Sequence, residues 1–210
     1  DSLALIFFER ANNDFKLSGN EWYYAHSLLD VSEYNLYLHY FSRADSILKL
    51  AETYTTDDMY LARFYETKGL YFYELQQYDS ALVYFKKGLP LWQHEEYRLY
   101  SYMKIMQVYL DMDSLAQALP YAQSIIHNTQ NPTFLVNAYY CMMQDANAKN
   151  DTKRLSEYSH ARADAEKSLR DYVSISAETV PKFSEYLSNP YPLRWVWILI
   201  SCIIGICLLL

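Results

Sequence analysis

The side chains able to do chemistry are few and dispersed. His26, His39, His94, His127 and His160 never pair at i, i+4 beside a carboxylate, as a helical zinc site requires, so each reads as a surface or cap residue. Cys141 stands alone in the polar part of the chain, Cys202 and Cys207 lie in the terminal apolar run, and no Cys-x-x-Cys occurs. A Gly-rich phosphate loop, a Gly-x-Ser-x-Gly elbow and a kinase signature are all missing. His94-Glu95-Glu96 has the residue types of an acid–base cluster, but carboxylates there also suit a helix start, where they face the positive end of the dipole. The expectation is a protein that is not an enzyme, with no metal and no cofactor. Asn150-Asp151-Thr152 fits a glycosylation sequon.

What positions these residues is a chain of helices. Of 210 residues, 51% are hydrophobic and 17% aromatic, which excludes disorder, and 4 Gly and 6 Pro are too few for the turns of many short strands. Tyrosine is abundant at 23 residues. A net charge of −7 argues against nucleic-acid binding, which needs clustered Lys and Arg, and favours a basic or amphiphilic protein partner.

The chain repeats itself. Tyr65-x3-Gly69-x2-Phe72-x5-Tyr78-x2-Ala81-x3-Phe85-x2-Gly88 alternates large and small residues. Its second half recurs 37 residues away on either side, at Phe41, Ala44, Leu48 and Ala51 and at Leu115, Ala118, Ala122 and Ile125. Asp-Ser pairs at 45, 79 and 113 suggest a competing spacing of 34, but the longer register aligns the packing positions. Small residues let one helix approach the next and large ones fill the gap a turn away.

This pattern resembles the tetratricopeptide repeat family, with Tyr65 for its usual Trp, Gly88 for its usual Ala and longer turns for the added length. The resemblance implies an all-α solenoid over 1–172. Clear repeats fall near 22–54, 59–92 and 97–129, and a degenerate capping unit, 132–172, has Leu155, Ser159 and Arg162 in place of the packing residues. Helices are expected at about 2–17, 21–38, 40–54, 57–76, 78–90, 95–111, 114–128, 132–149 and 151–172. Ser18-Gly19-Asn20, Asp57-Asp58 and Asn131-Pro132 mark three of the joints.

The resemblance also implies a groove, lined by the first helix of each pair, that holds a peptide or partner helix. Its positions fall on Arg63, Glu66, Thr67, Leu70 and Tyr73 and on Tyr100, Met103, Lys104 and Gln107. Family members that clamp a C-terminal carboxylate use Lys and Asn where this chain has Glu66 and Leu70, which argues against such a clamp. Aromatic and Met surface with mixed charge suits apolar or aromatic anchors instead.

A linker over 173–192 ends in Asn189-Pro190-Tyr191-Pro192, and 193–210 is free of charge after Arg194. Its 18 residues give about 27 Å of helix, close to the ~30 Å hydrocarbon core, so a single transmembrane helix is expected. Tyr191, Arg194, Trp195 and Trp197 suit the membrane interface, and Ser201 and Gly205 form a small-xxx-small pair that suits a homodimer through the span. The chain opens at Asp1 without Met or a basic segment, so a removed signal peptide is one expectation. The layout resembles bacterial membrane-anchored tetratricopeptide sensors and regulators. That implies periplasmic repeats, an inner-membrane span and an output domain beyond Leu210. A cytosolic, tail-anchored adaptor is the competing expectation.

Overall fold

The computed structural model of the chain describes residues 2–54 and 57–188, with side chains within 5–54 and 57–171. The expected span 193–210 and its interface residues Tyr191, Arg194, Trp195 and Trp197 lie outside the described residues. Among the described residues, no helix is long and apolar enough to cross a membrane. The described residues up to Ala163 form one compact unit, and those from Asp164 on belong to a second.

Nine α-helices are described: α1 Ser2–Leu17, α2 Glu21–Tyr37, α3 Phe41–Ala51, α4 Asp58–Glu74, α5 Tyr78–Gly88, α6 Glu95–Asp111, α7 Leu115–Asn128, α8 Pro132–Ala148 and α9 Thr152–Ser188. The pairs α2/α3, α4/α5 and α6/α7 pack internally and on the helix that follows, and α1 packs on α2. In the second unit α9 continues as helix from Asp164 to Ser188, so the expected linker 173–192 is helical as far as Ser188.

The register is strict. First helices of 17 residues start at 21, 58, 95 and 132, and second helices start at 41, 78, 115 and 152, always 37 apart. The 34-residue spacing of the Asp-Ser pairs has no counterpart, since Asp45 lies inside α3, Asp79 in the first turn of α5 and Asp113 in a turn. The turns within pairs are also short, spanning only 38–40, 75–77, 112–114 and 149–151. The added length therefore lies in the first helices and the connections between pairs.

Each short turn is built the same way. His39, Gln76, Asp113 and Asn150, again 37 apart, take φ of 52° to 59°. The N–H of the next residue, at Tyr40, Gln77, Ser114 and Asp151, donates at 2.8–2.9 Å to the carbonyl five residues back. This is the Schellman closure, which satisfies helix-end carbonyls and reverses the chain. Glycine is the usual residue there, and none of these four is one.

Helix starts follow the register too. Asn20, Asp57 and Asn131 accept the N–H of Tyr23, Tyr60 and Thr133 at 3.2, 2.7 and 3.0 Å. His94 holds the same position in α6 but makes no side-chain cap, with Glu95 and Glu96 in the first turn.

Within each pair the small residues are fully enclosed: Ala44 and Ala51, Ala81, and Ala118 and Ala122 show no exposure. A Cβ on Gly69 would stand 2.6 Å from ring carbons of Phe85, and one on Gly88 would meet the Ala62 carbonyl oxygen at 3.0 Å and Tyr65 Cβ at 3.3 Å. Tyrosines fill much of the remaining space. Tyr60 is fully buried and its hydroxyl donates to the Ala51 carbonyl at 2.6 Å, satisfying the end of α3. Tyr84 stacks on Phe72 with 5.2 Å between centroids, and Lys68 and Lys87 each lie 5.2 Å from the Tyr84 ring. In the fourth unit Leu155 is half-buried and Ser159 exposed, while Tyr158 stacks on Tyr139 at 6.4 Å.

Two changes test this packing. Gly69→Ala gains about 1 kcal/mol of helix propensity but must displace the enclosed Phe85 ring, so a net loss of about 1–2 kcal/mol is expected in chemical denaturation. His94→Asp supplies the missing cap and is expected to add about 1 kcal/mol, raising Tm by about 2–4 °C.

Candidate functional site

Successive first helices are tied by polar contacts along one face. Between α2 and α4, Arg63 donates to Asp30 at 2.6 Å and lies 3.9 Å from Glu33, while the Thr67 hydroxyl donates to Glu33 at 2.7 Å. Between α4 and α6, the Ser101 hydroxyl donates to Glu66 at 3.2 Å and Tyr73 to Asp111 at 2.6 Å. The Asn137 amide of α8 reaches Met103 Sδ of α6 at 3.7 Å.

The face is not closed. A cavity of about 170 Å³ is lined by Tyr73, Phe85, Met103, Lys104, Gln107 and Asn137. A second, of about 300 Å³, is walled by Trp92, Tyr97, Tyr100 and Phe134. Glu33, Arg63, Glu66 and Glu96 supply its charged groups.

The expected groove residues divide between these cavities. Tyr73, Met103, Lys104 and Gln107 line the smaller, and Arg63, Glu66 and Tyr100 the larger. Two residues behave differently. Leu70 packs into the apolar cluster of Ala81, Leu82, Phe85, Ile105 and Val108, and Thr67 is fully buried. Of the expected packing residues, Ala44, Ala81, Phe85, Gly88 and Ala118 are buried, whereas Tyr65, Phe72 and Tyr78 are half-buried.

Several lining residues escaped the sequence reading. Asn137 sits one register beyond Tyr100, and Glu33 one before Leu70, so extending the 37-residue spacing would have found both. Trp92 had no such signal. It enters from the connection between pairs, after the short 3-10 turn Leu89–Leu91, and is 5% exposed. Its indole N–H donates to the Ser101 hydroxyl at 3.0 Å and its ring lies 4.8 Å from that of Tyr97.

Glu66 is the electrostatic centre of the larger cavity. It is 8% exposed, and burial pushes its carboxyl up to about 8. The Ser101 hydrogen bond opposes the shift, Glu33 adds to it, and Lys104 and Arg63 oppose it. At neutral pH this carboxyl is mostly protonated. Arg63 stays charged despite its own burial, because Asp30 and Glu33 hold it. Lys104 lies with its ammonium 4.9 Å from the Tyr100 ring centre.

Two titratable groups elsewhere differ from expectation or add to it. His26 is not a surface residue. It is buried, its ring 4.0 Å from that of Trp22, and burial followed by the nearby Arg63 lowers its pKa. Cys141 is buried and its thiol is pushed up to about 11 by burial and by Asp145, so it is a poor nucleophile.

The helix pairs define a tetratricopeptide-like helical repeat fold. The crystal structure of MamA, a tetratricopeptide-like all-helical protein, is similar: the TM-score is 0.58 at 16% identity, covering 79% of this chain and 90% of that chain. No protein-family model and no curated protein matches the sequence.

A raised carboxyl pKa carries a definite pH signature. The folded chain keeps the Glu66 proton where the unfolded chain has lost it, so this contribution to stability is full below about pH 4.5 and is lost as pH rises through about 8. Glu66→Gln removes that loss. Relative to wild type, its Tm is expected to be near equal at pH 4.5 and about 10 °C higher at pH 8.5 in thermal melts.

Proposed function

We propose that the chain is a binding scaffold that holds a segment of a partner protein along the face of its first helices. The observation that carries this reading is the pair of open cavities between successive first helices. Their aromatic, methionine and charged linings offer both apolar anchoring and orientation. A fold of this class supports such a role.

The wider context is a further proposal. The apolar run from 193 to 210 and the order of repeats before it support a single-pass membrane protein whose repeats form an extracytoplasmic sensor or interaction domain. A bacterial inner membrane with the repeats in the periplasm fits that layout. The partner would load the first-helix face, and α9, which leads out of the repeats, would carry the change toward the membrane.

Peptides selected from a displayed random library against the chain test the scaffold. Tyr100→Ala is expected to weaken their binding ten-fold or more with an unchanged helical circular dichroism signal, whereas loss of helicity would assign that ring to the core. Protease treatment tests the context. Repeats that resist protease in intact bacterial cells and are cut once the outer envelope is opened are periplasmic, and repeats protected until the inner membrane is lysed belong to a cytosolic adaptor.

A further inference from the structure

We propose that the cavity between α4 and α6 holds the charged side chain of an arginine or lysine from the bound partner segment. The proposal rests on the scaffold reading and names the chemistry of its main anchor.

Three observations converge. First, Trp92, Tyr97, Tyr100 and Phe134 wall the space, and the negative faces of aromatic rings attract an ammonium or guanidinium group. Secondly, a carboxyl is committed to the cavity at high cost. Glu66 is more than nine-tenths buried, it accepts one hydrogen bond, from Ser101, and it has no ion-pair partner among the described residues. Its second oxygen is left for a ligand. Thirdly, the one guanidinium lining the cavity is already engaged. Arg63 is held by Asp30 at 2.6 Å with Glu33 at 3.9 Å, while Glu96 at the rim has no ion-pair partner among the described residues.

These facts weigh against other occupants. An anion would meet the carboxylates of Glu33 and Glu96, with Arg63 already paired to Asp30 and Lys104 lying against the Tyr100 ring. A purely apolar side chain would satisfy the rings but leave the buried carboxyl with the Ser101 hydroxyl alone. A volume of about 300 Å³ admits a long side chain and excludes a folded element.

A cation entering beside Glu66 favours its ionised form, so binding releases a proton. The groups facing that carboxyl are Glu33 from α2, Arg63 from its own helix, and Ser101 and Lys104 from α6, with Glu96, Tyr97 and Tyr100 lining the same cavity. Burial already holds the carboxyl protonated to about pH 8, so affinity for a basic peptide rises across the neutral range.

The test uses the full chain in a neutral detergent and short peptides selected from a random displayed library. Each selected peptide is synthesised with its basic residue intact and with citrulline or norleucine in its place, and binding is measured by calorimetry at pH 6 and pH 8. Expected are a recurrent Arg or Lys, a ten-fold or greater loss on neutral replacement, and affinity rising about ten-fold from pH 6 to pH 8. Glu66→Gln is expected to abolish the pH dependence, and Glu96→Gln to weaken binding two- to three-fold while keeping it. Peptides that need Tyr100 but carry no basic residue, or that tolerate the neutral replacement, overturn the cation site and leave the scaffold standing. Failure to select any peptide, or binding untouched by Tyr100→Ala, overturns both. The neutral-replacement arm decides the question even if Glu66→Gln does not fold.

Discussion

One backbone conformation sets the geometry of the repeats. At His39, Gln76, Asp113 and Asn150 the chain enters the left-handed region, and the amide that follows closes on a carbonyl five residues back. That closure ends each first helix and returns the chain after three residues, so the second helix must lie against the first. A non-glycine residue in this conformation costs on the order of 1 kcal/mol, and its persistence at four equivalent positions shows that the packing on either side dictates it. The enclosed alanines and glycines where the two helices of a pair meet follow from the same closure, because a short turn leaves little distance between them. Phe85 against Gly69 is the tightest example.

The tyrosines serve two ends that this geometry separates. Tyr60, whose hydroxyl ends α3, and Tyr84, stacked between Phe72 and two lysines, belong to the packing. Tyr97 and Tyr100 instead stand on the first-helix face, where Trp92, from the connection between the α4/α5 and α6/α7 pairs, lines the same cavity and donates to Ser101. It is in this cavity that a carboxyl, that of Glu66, is buried. A cavity, four rings and a displaced titration thus meet at one place in the repeating lattice.

Most of the helical architecture could be read from the sequence because its signals are local: alternating large and small residues, the 37-residue spacing and the polar residues at the joints. Asn20, Asp57 and Asn131 read as joints, but their common spacing, and His94 as their fourth member, emerged only with the helix starts in place. The turn residues gave no signal, since none of the four is glycine. The site was half legible. Positions on the first helices followed from the register, but the cavity beside Glu66 is also walled by Trp92, which no repeat position announces. Leu70 and Thr67 sit on the nominal groove stripe yet turn into the core, because helix neighbours one turn apart share a stripe without sharing exposure. The extension of α9 to Ser188 ran past a packing signature that had already faded at Leu155, Ser159 and Arg162.

The central claim is that the first-helix face, and not the outer surface of the second helices, receives a polypeptide partner. Site-specific photocrosslinking in living cells tests it most directly, with a photoreactive residue in place of Lys104, which lines the smaller cavity beside Tyr100, or of Val83, exposed on α5 and outside both cavities. Discrete crosslinks to another polypeptide from position 104, with few or none from position 83, are the predicted result. Equal labelling from both positions, or labelling from 83 alone, would contradict the account.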